Sequence, residues 1–444
     1  MTARKHLKQL VRTRMQKTGE SYTSARRQVI RQAPSRAGDP ATRWHLPGNV
    51  AGTTALRILV SHAGIRDPQT GEPFSEAMLF GIAGGIGVGV FSFYYEKGDF
   101  ASFYVAGRHR WDDTSVYLQA ACKRLGLSPV VRESTGAKTA EKQLRECLAE
   151  GPCVAWVDMA HLPHRGLPEW CSGGAYHVIT VYRLDDETSS ALIGDLADDP
   201  ISIALPDLAR ARERIKSQKN RLLSVADAPS PKELAPLVRE GLESCYRGLA
   251  GEGAKGAKGN FSLEALKIWA MRMHKSKDKE SWARVFPRGP RLWTGLTSIY
   301  DYIEHHGTGG GLCRPIFSDF LAEAADALGN RALKTLAEQY AELGRDWSAL
   351  ANEALPDSVP AMREAKDLYV QRSELTLAGG PDAPAEIGKV WDRLNALGAQ
   401  ARTDFPQSEA ECDALLANLQ GKVMALYEGE QAARAKLGEV ISTV

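Results

Sequence analysis

Between residues 226 and 444, apolar side chains recur three and four positions apart, as in FSDFLAEAADAL, ALKTLAEQYAELG, WDRLNALGAQA and ALLANLQGKVMALYE. That period buries one face of an α-helix, so this half of the chain is predicted to be almost wholly helical. SPKEL (230–234) reads as a capping box with proline at the first helical position, and SLEAL (262–266) as a similar start. GLAGEGAKGAKGN (248–260) has the composition of a flexible connector. No repeat of fixed period and no heptad run long enough for a coiled coil is present.

From 49 to 225 the pattern is mixed. Helices are predicted at 52–63, 75–82, 113–125 and 139–149. Apolar, β-branched runs then follow in close succession: CVAWVDM (153–159), YHVITVYRL (176–184), SALIGDLA (190–197) and PISIAL (200–205). Pro206-Asp207 opens a further helix, DLARARERIKSQ. Helices followed by an antiparallel meander, without βαβ alternation, indicate an α+β class. AMLFGIAGGIGVGVFSFYY (77–95) carries no charge over 19 residues, a length that would span a bilayer. Its five glycines and its acidic flanks, Glu76 and Glu96, favour a buried helix end followed by a glycine-rich core strand. No membrane segment is therefore expected.

Charge divides the chain further. Residues 1–36 hold ten Lys/Arg against one acid, Glu20, whereas the other 408 residues hold 46 bases and 53 acids. Leu7, Leu10, Val11 and Met15 are at helical spacing, Thr18-Gly19 breaks the pattern, and Thr18 or Ser21 can cap a second helix through Arg27 and Ile30. The expected organisation is a basic helical arm (1–36), a Pro/Gly linker (37–48), an α+β domain (49–225) and an all-helical domain (226–444). The arm lacks an aromatic stacking platform. It is read as folding back on the acidic body rather than docking nucleic acid. Without an apolar stretch behind the basic start, no signal peptide is read. Seven scattered cysteines without a CxxC pair fit a reducing, cytoplasmic setting.

Several motifs suggest chemistry and then lose it. GIAGGIGVGV has neither the Gly-Lys-Ser/Thr of a P-loop nor a G-x-G-x-x-G between strand and helix, so close backbone packing explains it better. HHGTGGGLCRP (305–315) offers amides to an anion or a phosphopantetheine arm, though a glycine helix stop is the commoner use of such a run. His161 and His164 in HLPHRG lack a third ligand, so neither a metal nor another cofactor is expected. The better constellation is a helix start at Ala51, a strand-borne His177 and a following Asp195. Papain-like enzymes keep this order: a thiol at a helix N-terminus, where the macrodipole favours thiolate, then a His base, then a residue that orients its ring. Here alanine holds the thiol's place.

The pieces GTTALRILVSHAG (52–64), SEAMLFGIAGGIG (75–87), AWVDMAHLP (155–163), YHVITVYRLDD (176–186) and IGDLADDPISIALPDLARAR (193–212) resemble the butirosin biosynthesis protein H family. NFSLEALKIW (260–269) and GTGGGLCRPIFSDFLAEAA (307–325) resemble the helical domain that commonly follows it. The resemblance implies a papain-like domain before the helical one, and a place in secondary metabolism or antibiotic biosynthesis. It also implies transfer of an acyl or aminoacyl group from an acyl-carrier-protein thioester to an amine. Family members commonly carry His-Cys where this sequence has Val50-Ala51, while His177 and Asp195 match the other catalytic positions. Three functions stay open. His177, held by Asp195, activates an amine for direct attack on a carrier thioester, with the amides of Ala51, Gly52 and Thr53 as oxyanion donors. Alternatively the protein is a hydrolase in which Thr53, Thr54 or Cys171 serves as a substitute nucleophile, or it is an inactive scaffold that binds a carrier protein or peptide.

Overall fold

A computed structural model describes residues 3–20, 22–31, 44–226, 231–253, 258–273, 278–380 and 382–443. The arm is a helical hairpin of α1 (Ala3–Thr18) and α2 (Tyr22–Arg31), reversed at Gly19, which takes the left-handed φ of +70°. There follow α3 (Ala51–His62), α4 (Glu76–Ile82), β1 (Ile86–Tyr95), β2 (Phe100–Arg108), α5 (Thr114–Arg124), β3 (Pro129–Arg132), α6 (Ala137–Glu150) and β4 (Cys153–Asp158). Next come β5 (Tyr176–Asp185), β6 (Ser190–Gly194), β7 (Ile201–Ala204), α7 (Leu205–Arg214) and β8 (Leu222–Val225). The remainder is helical: α8 (Ala235–Leu249), α9 (Glu264–Met273), α10 (Trp282–Val285), α11 (Pro290–Glu304) and α12 (Arg314–Leu328), then α13 (Arg331–Ala354), α14 (Pro360–Ala378), α15 (Ala383–Thr403) and α16 (Glu409–Ile441).

The main sheet is antiparallel with strand order β3-β8-β4-β5-β6-β7. The meander β4 to β7 is the one the apolar runs predict. β3 and β8 escape such reading because each is only four residues long and no alternation stands out. The 77–95 segment is a buried helix end and a strand, and no helix among the described residues is long and apolar enough to cross a membrane.

The strand half of that segment finds an unforeseen partner. β1 pairs with β2 as a separate two-stranded ribbon, with Phe91 opposite Tyr104 and Tyr95 opposite Phe100. One face of the ribbon is buried through Phe103, which packs on Trp269, Trp282 and Phe286 of the helical half. Hence the largest apolar cluster runs from Val50 to Val440 and joins α3 to α5 with the late helices, while the meander closes a second cluster with α6 and α7.

Helix starts differ in detail from their sequence signals. α8 begins at Ala235 with Pro236 in its first turn, five residues after Ser230, which lies outside the described residues, as do 37–43 of the linker and 254–257 of the connector. Ser408 caps α16 by a complete capping box with Glu411. All seven cysteines are free.

Candidate active site

Residues 48–50 lead into α3 through a tightly held loop. The Glu76 carboxylate accepts from the Asn49 and Val50 amides, each at 2.9 Å, and from Asn49 Nδ2 at 3.1 Å. Gly48 is obligatory there, because a Cβ would stand 2.0 Å from Thr54 Oγ1. The first helical bond is Thr54 N–H to Val50 O at 2.8 Å, and no side chain caps the helix. The amides of Ala51, Gly52 and Thr53 are therefore the free donors of the first turn, at the positive end of the helix dipole. Ala51 itself is half-buried. α3 packs on β5, the strand that begins Tyr176-His177.

His177 and Asp195 meet. His177 Nε2 lies 2.9 Å from Asp195 Oδ1, with both side chains nearly buried. This leaves the imidazole Nδ1 for another partner. The sequence did not foresee how crowded Asp195 is. Arg165 grips both carboxylate oxygens, Nη2 to Oδ1 at 2.7 Å and Nε to Oδ2 at 3.0 Å. His164 Nε2 is 2.9 Å from Oδ2, and the Leu196 amide donates to Oδ1 at 2.8 Å.

Burial alone would raise the Asp195 pKa. Arg165 and His177 outweigh it and hold the carboxyl well below its ordinary range. Burial lowers the His177 pKa, assisted by Arg165 and opposed by Asp195, so at neutral pH the ring is a neutral base. HLPHRG thus supplies two carboxylate partners rather than metal ligands. Its other histidine, His161, turns instead to Ser172, Nε2 to Oγ at 2.9 Å, beside an open cavity of about 350 Å³ lined by Pro163, Leu167, Glu169 and Asp207. Among the described residues no group of three or more His, Cys, Asp and Glu is placed to hold a metal ion.

The substitute nucleophiles are poorly situated. Thr53 is fully buried with its hydroxyl 3.0 Å from the Tyr117 hydroxyl, and the Thr54 hydroxyl donates to Val50 O at 3.0 Å and sits 3.1 Å from Glu76 Oε1. Burial pushes the Cys171 thiol up to about 11, which keeps it protonated and weakly nucleophilic at neutral pH.

Two outside elements close round the loop before Ala51. Arg26 of the arm is almost fully buried; it donates to Gly48 O at 3.0 Å and Leu196 O at 3.1 Å, and pairs with Asp198. The glycine run 307–311 packs its Gly309 against Asn49, while Arg27 donates to Gly309 O at 3.3 Å. Residues 308–314 are buried.

Residues 51–196 match the family model described as Butirosin biosynthesis protein H, N-terminal. Over this stretch the chain is similar to that family. The match opens at Ala51 and closes just after Asp195, so the two sequence-distant ends of the site bound the similar region. Residues 206–378 match a second model, Domain of unknown function (DUF4872), which takes in α8 to α14. Curated proteins yielded no match.

Proposed function

We propose that the protein transfers an acyl or aminoacyl group from a carrier-bound thioester to an amine by direct attack, in a papain-like site that works without its thiol. The reading rests on one observation: a nearly buried His177 whose Nε2 lies 2.9 Å from Asp195 Oδ1, which leaves Nδ1 free to take a proton, and burial that lowers the ring's pKa supports it. A thioester is already activated, so a covalent acyl-enzyme is dispensable. The amine nitrogen attacks the carbonyl carbon as His177 Nδ1 takes its proton. The amides at the start of α3 receive the oxyanion. The C–S bond then breaks and the departing thiolate takes the proton back, giving an amide and a free thiol. General-base assistance of this kind contributes about 10²–10⁴-fold, and alignment of donor and acceptor adds to it.

The test compares wild type with His177→Ala on carrier-protein and pantetheine thioesters with amine acceptors, following amide product. Loss of about 10²–10⁴-fold in turnover is expected. Turnover indifferent to the substitution would discard His177 as the base. The alanine methyl at residue 51 favours a second reading, a scaffold that binds thioesters without acting on them. That reading predicts binding without product, and covalent acyl-enzyme once Ala51→Cys restores a thiol at the helix start.

A further inference from the structure

Exposed aromatic side chains are confined to two places. Among the described residues, every exposed Phe, Tyr or Trp lies on the β1–β2 ribbon (Phe93, Tyr94, Tyr95, Phe100) or in the segment leading to His177 (Trp170, Tyr176). Both places adjoin the same ground. On the ribbon's outer face, cross-strand pairing puts Phe91, Phe93, Tyr95, Phe100, Ser102 and Tyr104 side by side. A half-solvated sheet face ordinarily carries polar residues, so this face is anomalous. Its rings form a continuous path. Tyr95 lies 5.8 Å from Phe100, Phe93 lies 6.3 Å from Tyr104, and Tyr104 lies 5.0 Å from Tyr302 of α11.

Tyr302 continues the path to His306 at 4.8 Å. Here the ribbon approaches the site. Asp301, next to Tyr302 on α11, pairs with Arg372, whose guanidinium stacks 5.1 Å from the ring of Trp391 on α15. From the other side Trp170 stands edge-on to Trp391 of α15, 6.3 Å away. The aromatic path therefore begins at the ribbon tip and, by way of Arg372 and Trp391, reaches Trp170 in the segment leading to His177.

We propose that this path is the acyl-binding surface of the site and that the transferred group is an apolar one, an aryl or extended alkyl acyl chain. The inference rests on His177 acting on a thioester and adds the class of acyl group. Planar apolar rings in series offer a long chain area without demanding directed hydrogen bonds, which suits a chain of methylenes or an arene. Small polar acyl groups would gain nothing from it. Ser102, the one small residue in the row, lies opposite Phe93 and between Phe100 and Tyr104 on its own strand.

The test uses non-cleavable thioether analogues of acyl-pantetheine, from two to eight acyl carbons plus a phenylacetyl member, titrated by calorimetry. Proteins compared are the wild type, His177→Ala and the surface double variant Phe93→Ser/Phe100→Ser, whose folding is checked by its melting curve. In wild type and His177→Ala, affinity should rise about fourfold per added methylene until the chain is covered. In the double variant that slope should largely disappear. Affinity flat with chain length, or an unchanged slope in the double variant, would overturn the proposal. So would a wild-type dimer that the double variant breaks, since a second copy would then cover the face.

The two readings fail separately. A steep slope without amide product from any thioester retains the acyl surface and removes the proposed reaction. Product from short thioesters with a flat slope does the reverse.

Discussion

At Asp195 five hydrogen-bond donors converge on two oxygens, and this decides which form His177 takes. Arg165 Nη2 stands 2.8 Å from the same ring nitrogen that faces Asp195. If Arg165 donated to Nε2, the ring proton would be forced to Nδ1 and the histidine would lose its basic face. The carboxylate is the stronger claimant, because an unprotonated Nε2 would set its lone pair 2.9 Å from those of Asp195 Oδ1, while Arg165 keeps its carboxylate bonds in either case. His177 is therefore expected as the Nε2–H tautomer with a bare Nδ1, which nitrogen-15 shifts of labelled protein report directly; an Nδ1–H ring would refute the assignment. Replacing Arg165 by Met removes the cation that lowers His177 and holds Asp195 down. The midpoint of the His177 titration should then move upward. Little of this was legible beforehand. His177 and Asp195 are recognisable because strand position and chain order limit what they can do. His164 and Arg165 sit in a proline-broken loop with no period, and only folding shows that both reach one carboxylate.

Among elements, the close contacts explain sequence features that looked functional. Gly81, in the glycine-rich run, lies where a Cβ would be 2.1 Å from the ring of Phe320, so α4 and α12 touch through it. Gly81→Ala should destabilise by about 1–3 kcal/mol through overpacking, read from chemical denaturation; a neutral result would show that Phe320 can swing aside. The late helices hold a costlier contact. Arg314 of α12 and Glu430 of α16 are both fully buried and paired, and Trp347 Nε1 of α13 donates to Glu430 at 2.9 Å. Glu430→Ala strands a buried guanidinium, so a loss of about 3–5 kcal/mol is expected, whereas replacing both partners by apolar residues of similar volume should cost far less. Periodicity foretold these helices well, since each has a clear apolar stripe. It could not foretell the ribbon, because β2 alternates only weakly and its partner was already read as a core strand.

For the whole molecule, buried histidines set the response to acid. Burial pushes His109 down to about 4 and His305 to about 3, and also lowers His45 and His177. In the unfolded chain each returns to about 6.5. Between that value and the folded one, the unfolded state binds more protons, so stability falls as pH falls, by about 1.4 kcal/mol per pH unit for each group. Asp195 adds a further loss only when pH drops below about 3.8. Melting temperature should thus decline steadily from pH 7 towards pH 4; a flat profile would mean these rings are protonated in the native protein. The basic arm belongs at this scale too. Lys8 and Arg12 pair with Glu374, Arg27 with Asp319 and Arg26 with Asp198. The charge pattern is read as an arm folded back on the acidic body rather than one docking nucleic acid, and these pairs name the carboxylates it meets there.

Arg26 has a consequence for how the site comes into being. The arm's footing on Glu374 is 362 residues from Arg12, and Arg26 bridges the loop before Ala51 to the carbonyl beside Asp195. During synthesis Arg26 can reach Gly48, Leu196 and Asp198 once the meander has emerged, whereas Lys8 and Arg12 must wait for Glu374 of α14. Contacts of such separation form late and slowly. The meander can fold earlier, yet its His177 then faces an unfinished neighbour. The first helix of the arm is therefore seated only when the last third of the polypeptide has been made, after Arg26 has already joined the loop before Ala51 to Leu196.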